Sequence, residues 1–386
     1  VSTQLSASNR IGVTAAYFGA FVCLGLTIGL LGPTLPGLAQ QTRVSLSTIS
    51  YLFTARSVGY VLGSFRGGRL FDRRSGNPLM TWMLLSMAGL TCLVPITSKF
   101  SILLLLMVAL GISEALLDVG ANTLLVWTHG DQAAPYLNAL HSLFGVGALL
   151  APLLVALALK LGYQSTSSYL ALSAILIPLA VSISLWSSPR APSATQGEDS
   201  KSGNRRMLVL ISAFLFLYVG AETGFSGWIF TYVTEFRLSN AGTASYLTAL
   251  FWASLTLGRL LNIPTAIRVK PHTILFASLV GSLLSLALML AGPGSLTIIF
   301  VGTVGLGLSM ASIFPAAISY TNQQMKLSGA VAGWLVMAAS FGAMTIPLLI
   351  GQLFQSVGPR FLLLVIVSTL LMALGVLAGM NHLHKS

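Results

Sequence analysis

The chain has 386 residues, 55% hydrophobic and only 7% charged, with twenty Lys and Arg against eight Asp and Glu and a net charge of +12. An average soluble domain is about 25% charged, so these few ionic groups cannot coat a soluble globule of this size. The composition predicts an integral membrane protein lying almost wholly in the bilayer. Nucleic-acid binding is not expected, because the basic residues stand singly or in small groups between apolar runs, with no aromatic-rich basic face.

A spanning helix needs about 20 apolar residues. Twelve such runs occur, at 12–38, 47–67, 78–97, 101–127, 136–160, 166–186, 207–234, 242–262, 272–292, 295–321, 328–355 and 361–380, here called spans 1 to 12. They lack the alternation of a membrane barrel, so the fold class is all-α. The run that begins at Ile11 is far longer than a signal peptide's apolar core, and no cleavable signal is expected. Cys23 and Cys92 sit inside apolar stretches and read as small core residues.

Between spans 2 and 3 the chain reads Gly68-Arg69-Leu70-Phe71-Asp72-Arg73-Arg74-Ser75-Gly76. An aspartate among arginines at a helix end can pair with a neighbouring helix and stabilise one state of a conformational change. Gly68, Asp72, Arg73 and Arg74 are therefore gating candidates. The rival reading is that these charges only set topology, to which Asp72 would add nothing.

Span 4 carries Glu114, Asp118 and Asn122 at four-residue intervals, one polar stripe on a helix of 3.6 residues per turn. A carboxyl group at membrane depth costs about 2.5–3.5 kcal/mol or more on insertion scales, and such groups usually face a cavity or a partner. Two on adjacent turns repel, so either one keeps a proton or a cation sits between them. Both outcomes suit coupling to H+ or Na+; the alternative is a structural ion pair between Glu114 and Arg56. In span 5, Asn138 and His141 precede Phe144-Gly145-Val146-Gly147 and are candidates for substrate contact, the alternative for His141 being a satisfied core histidine.

The longest polar interval, Ser187 to Arg206, separates spans 1–6 from spans 7–12 and reads as a flexible linker. Two six-helix bundles, 1–186 and 207–386, with a linker at 187–206, are expected. Span 7 then places Glu222 among three glycines, with Tyr218 and Phe225 on its face and Trp228 and Tyr232 as a second pair. Flat aromatic faces beside a hydrogen-bonding carboxylate suit a sugar ring, so Tyr218, Glu222 and Trp228 are candidate substrate contacts. Tyr232 reads equally well as an interfacial anchor. Asn262, Asn322, Gln323 and Gln324 are further polar candidates, and Gln352 and Gln355 weaker ones.

With twelve spans, fourteen Lys and Arg share the side of the two termini, five lie on the other side, and Arg56 lies inside span 2. The positive-inside rule puts both termini in the cytoplasm. The halves also repeat. Gly147-Ala148 through Pro152 matches Gly342-Ala343 through Pro347, 195 positions later, as Leu62-Gly63 matches Leu257-Gly258; Leu110-Gly111 matches Leu306-Gly307 at 196. Two parallel six-helix repeats describe the major facilitator architecture, which rocks about a site near the membrane midplane.

Seven motifs in order carry a closer resemblance. They are Gly32-Pro33-Thr34-Leu35 followed by Gln41-Thr42, Gly63-Ser64 with Gly67-Gly68, Leu117-Asp118-Val119-Gly120-Ala121-Asn122, and Asn138-Ala139-Leu140-His141 leading to Pro152. Trp228-Ile229-Phe230-Thr231-Tyr232, Phe251-Trp252 with Gly258-Arg259, and Ile313-Phe314-Pro315 complete the set. With these the sequence resembles the fucose–galactose–proton symporter family of the major facilitator superfamily, nearest its sodium-dependent glucose transporter branch. The resemblance implies cation-coupled hexose or deoxyhexose symport by alternating access, with no cofactor. It matches Asp118 to the family's cation-coupling acidic residue and Asn122 to its neighbour, and adds Trp252 to the substrate set and Arg259 to the gating set. A Na+ site near Asp118 is one implication. The family's first-helix acidic residue is missing here, where span 1 offers Tyr17, Cys23, Thr27 and Thr34. This leaves Na+ coupling, H+ coupling through Asp118 with Glu114 or Glu222, or uncoupled diffusion.

A proton-coupled exporter of drugs or lipids is the rival within transport and predicts a greasy, aromatic cavity. A non-transporting receptor on the same fold is a further alternative. An enzyme is not expected, for no HExxH, GxSxG or GxGD arrangement occurs. A monomer in the plasma (inner) membrane, with a small molecule and the bilayer as its partners, completes the expectation.

Overall fold

The computed structural model describes residues 7–189, 205–325 and 329–385. Among these, twelve long helices stand where spans were expected and no strand occurs. They are Ala7–Thr42, Tyr51–Arg73, Gly76–Leu93, Phe100–His129, Ala133–Lys160, Ser168–Ser184, Arg205–Glu235, Ala241–Leu261, Pro271–Ala291, Leu296–Met310 continued by Ile313–Gln324, Gly329–Val357 and Phe361–Lys385. Most of the expected linker lies outside the described residues. Span 2 differs from its expected bounds: a separate short helix, Leu46–Ile49, is capped by the Ser45 side chain accepting from the Thr48 amide, and the long helix starts at Tyr51.

Among the described residues, ten helices are long and apolar enough to cross a membrane by length and composition, and spans 2 and 8 are not among them. Those two are equivalent positions in the repeat. Arginines dilute span 2, and Gly, Ser and Thr with Arg259 dilute span 8. Large apolar side chains elsewhere are bare: Leu105 is 69% exposed, Trp82 66% and Leu284 66%. So much exposed hydrocarbon needs a lipid covering.

The chain forms two compact units. The first is Val1–Val44 with Ala55–Gln196, the second Ser45–Thr54 with Gly197–Ser386. In the first, span 1 packs chiefly on span 5 and span 3 on spans 4 and 6; in the second, span 7 packs on span 11 and span 9 on span 10. The repeat read from the sequence is thus a repeat of helix pairings. It holds at the atomic level. A β-carbon on Gly147 would lie 1.9 Å from the Val22 carbonyl oxygen, and one on Gly342 would lie 1.9 Å from that of Phe216. Only glycine lets these backbones come so close.

The corners repeat too. Span 1 ends with Arg43 at φ 56 and span 7 ends past Glu235 with Arg237 at φ 53. In each, the amide one residue further on reaches back to a carbonyl five positions earlier, Val44 to Ala39 at 3.0 Å and Leu238 to Val233 at 3.0 Å. This is the Schellman closure, here made with arginine in the left-handed region that glycine usually fills.

Candidate functional site

In the first unit, glycines set spans 2 and 4 against one another. A β-carbon on Gly111 would lie 2.1 Å from the Arg56 carbonyl oxygen, so the two backbones touch where their polar residues begin. Two pairings follow, each joining residues 58 positions apart. Because both residues advance together, the helices run the same way.

The deeper pairing joins Arg56 and Glu114. Arg56 Nε donates to Glu114 Oε2 at 2.8 Å, Nη2 reaches Oε1, and Nη1 donates to the Ile28 carbonyl at 3.3 Å. Glu114 is 0% exposed and Arg56 8%. This is a two-pronged, buried ion pair that also ties span 1, and it takes up both carboxylate oxygens. Of the two readings of Glu114, coupling group or structural partner of Arg56, the geometry is that of the second.

One turn on, Asp118 is held differently. The Tyr60 hydroxyl donates to Oδ2, and Asn122 Nδ2 donates to Oδ1 at 2.8 Å and to the Asp118 backbone carbonyl at 3.0 Å. Asp118 and Asn122 are half-buried, while Asn138 and His141 on span 5 are exposed. His141 lies within Coulombic range of Asp118, its ring set edge-on to Phe21 at 5.4 Å. The structure therefore gathers Asp118, Asn122 and His141 in one region. Tyr60 was missed from the sequence. Its signal was the spacing Arg56-x-x-x-Tyr60, the same as Glu114-x-x-x-Asp118, so that two matched pairs fall on facing helices.

In the second unit Tyr218 is the centre. Its hydroxyl donates to Glu222 Oε2 and also lies 3.1 Å from the Met310 carbonyl oxygen. Arg259, expected as a gating residue, interacts with the same hydroxyl, and its buried Nε has no hydrogen-bond partner in the described residues. Tyr218 is 0% exposed, whereas Glu222 is half-buried. Trp228 and Trp252 lie elsewhere. Trp228 is fully buried, donates its indole N–H to the Pro347 carbonyl at 2.9 Å and stacks near Phe354 at 5.0 Å. Trp252 is 4% exposed and packs edge-on to Phe251 at 5.6 Å. Their aromatic faces are occupied by protein, so both stand in the packing of the unit. Tyr232 is buried as well and donates to the Pro293 carbonyl at 3.2 Å.

The gating candidates Gly68, Asp72, Arg73 and Arg74 are all exposed at the end of span 2, and Asp72 makes no ion pair among the described residues. Among the weaker polar candidates, Asn262 bonds the Gly258 carbonyl at 2.7 Å as a helix cap. Gln352 donates to the Ser47 carbonyl at 2.8 Å within the second unit. No group of three or more His, Cys, Asp or Glu able to hold a metal occurs among the described residues.

Two repeated six-helix units, lipid-coated outside and carrying half-buried carboxylates within each, define the architecture of a membrane carrier. The sequence matches the Major Facilitator Superfamily over residues 17–347, and the chain belongs to that family. It is 32% identical over 366 residues to sodium-dependent glucose transporter 1 of Xenopus laevis, covering 87% of this chain and 74% of that one. It is 30% identical over 376 residues to sodium-dependent glucose transporter 1A of Mus musculus, covering 87% and 88%. Among solved structures, a point mutant of the nucleoside transporter NupG superimposes with a TM-score of 0.78 at 14% identity, covering 96% of this chain and 99% of that one. A bacterial homologue of the human lysosomal transporter Spinster gives 0.77 at 14% identity, covering 97% and 96%. Similarity at that level establishes the fold.

Proposed function

We propose that the chain carries a monosaccharide, a hexose or deoxyhexose, across the membrane by alternating access, and that Asp118 binds the coupling cation. The observation that carries this reading is the setting of Asp118: half-buried, supported by Tyr60 and Asn122, and beside His141. A sugar presents a ring of hydroxyls that donate and accept, and the Asn138 amide and the His141 ring carry both functions on the same unit. Na+ takes hard oxygen ligands. Asp118 supplies them, and the Asn122 amide, spending its N–H on Asp118, keeps its carbonyl oxygen for an ion. The names of the relatives in frog and mouse support both the sugar and the sodium. The arrangement does not favour an exporter of greasy compounds, since Trp228, Phe225, Phe251 and Phe354 are all closed into packing.

On the same reading the protein works as a monomer in the plasma (inner) membrane with both termini in the cytoplasm, in accord with its basic residues. The test is counterflow of labelled hexose in proteoliposomes, with a Na+ or a K+ gradient. Exchange of hexose in both salts and accumulation in Na+ alone is the expected result. Absence of hexose exchange in either salt overturns the substrate class, and equal accumulation in both overturns Na+ as the coupling ion.

A further inference from the structure

The first unit also carries a concavity whose lining includes none of Tyr60, Asp118, Asn122 and His141. It is a groove of about 650 Å³ lined by Leu62, Gly63, Arg66, Arg69, Leu70 and Arg73 of span 2, with Ile112 and Leu116 of span 4. Its wall on span 4 lies across the helix from Glu114 and Asp118: Ile112 and Leu116 are one turn apart on one side, the carboxylates one turn apart on the other. The line of contact between the two helices separates the groove from the proposed carrier site.

The chemistry of the groove is graded. Leu62 and Ile112 line it farther from the end of span 2, Leu116 and Leu70 continue the apolar wall, and Arg66, Arg69 and Arg73 stand on one face toward the end of span 2. Arg66 and Arg73 are seven residues apart, roughly 10 Å along the helix. All three arginines are exposed, and none makes an ion pair among the described residues. Leu62 is 54% exposed. A topological role needs only positive charge near the helix end. It accounts neither for three guanidinium groups on one face nor for the continuous hydrocarbon wall beneath them.

We propose that this groove binds an anionic phospholipid, its headgroup phosphate held by Arg66, Arg69 and Arg73 and one acyl chain laid along Leu62, Leu70, Ile112 and Leu116. Guanidinium forks match phosphate oxygens in pairs, and the charge is complementary. A free phosphate or a soluble anion would leave the apolar wall unused, and a zwitterionic lipid would leave net positive charge unanswered. On the orientation proposed above, the lipid belongs to the cytoplasmic leaflet, where anionic lipids concentrate. Binding is independent of which substrate the chain carries, so its test stands or falls apart from that of the carrier.

The full-length protein in phosphatidylcholine nanodiscs, titrated with phosphatidylglycerol, is released and read by native mass spectrometry for retained lipid. Wild type is expected to retain phosphatidylglycerol over phosphatidylcholine. Each basic residue near an anionic membrane surface changes affinity about fivefold, so the double variant Arg66→Gln, Arg69→Gln is expected to lose roughly twentyfold or more of that preference. Leu62→Trp, which fills the groove and leaves the arginines in place, is expected to lower phosphatidylglycerol retention as well and supplies the test if the double variant does not fold. Equal retention of the two lipids by wild type, or unchanged retention in the variants, overturns the proposal. Displacement of the lipid by millimolar inorganic phosphate overturns it in favour of a free-anion site.

Discussion

Asp118→Asn is expected to abolish cation-driven accumulation of hexose while leaving the fold and passive hexose exchange in place. Asparagine keeps the shape of the side chain, its oxygen can still accept from Asn122 and its amide N–H can donate to the Tyr60 hydroxyl oxygen, but it removes the charge. A hydrogen bond to a charged group is worth about 1.5–3 kcal/mol, and loss of the upper figure alone lowers binding about 100-fold. The initial rate of Na+-driven uptake should therefore drop by about 100-fold or more, with a melting temperature close to wild type. Exchange without a gradient needs no coupling ion and separates a coupling defect from a substrate defect. Accumulation that survives the substitution removes Asp118 from the coupling role.

Arg56→Leu is expected to act on stability instead. It leaves Glu114, which has no exposed surface, without its two-pronged partner and frees the Ile28 carbonyl. Removing one member of a buried ion pair costs about 3–5 kcal/mol, whereas replacing both by apolar groups is often neutral. The double change Arg56→Leu, Glu114→Leu should thus recover most of the loss, and a cycle of the two single variants and the double one isolates the coupling. Reversible unfolding in denaturing detergent measures it. A single variant within about 1 kcal/mol of wild type would mean that the pair is not what holds spans 1, 2 and 4 together.

The contrast between these variants marks how far the sequence could be read. Span positions were legible because lipid demands long apolar runs, and the duplication because glycines with fixed contacts cannot drift; Gly147 and Gly342 keep the same backbone approach in each half. The break before Tyr51 was not legible, since the Ser45 cap depends on one side-chain bond that leaves no mark on hydropathy. Within the site, the spacing of Glu114, Asp118 and Asn122 showed one polar stripe. It could not show that Arg56 would occupy the first carboxylate and Tyr60 the second. Tyrosine counts as apolar in a span, so Tyr60 stayed hidden. Trp228 shows the opposite failure: periodicity places it on a face, but its burial depends on Gly351 on span 11, where a β-carbon would sit 2.7 Å from the indole.

The buried pairings have an electrical consequence. Arg56 answers Glu114, and Arg259 shares Tyr218 with Glu222, so positive and negative groups balance in these two clusters. Asp118, supported by a hydroxyl and an amide, brings an extra unit of negative charge when ionised and His141 is neutral. A monovalent ion bound there would cancel it, and a neutral sugar adds none. The loaded carrier would then cross the field nearly uncharged, while the empty carrier returns with the charge exposed to a membrane voltage worth about 2.3 kcal/mol per elementary charge per 100 mV. Voltage would accordingly set the pace of the return step rather than of the delivery step.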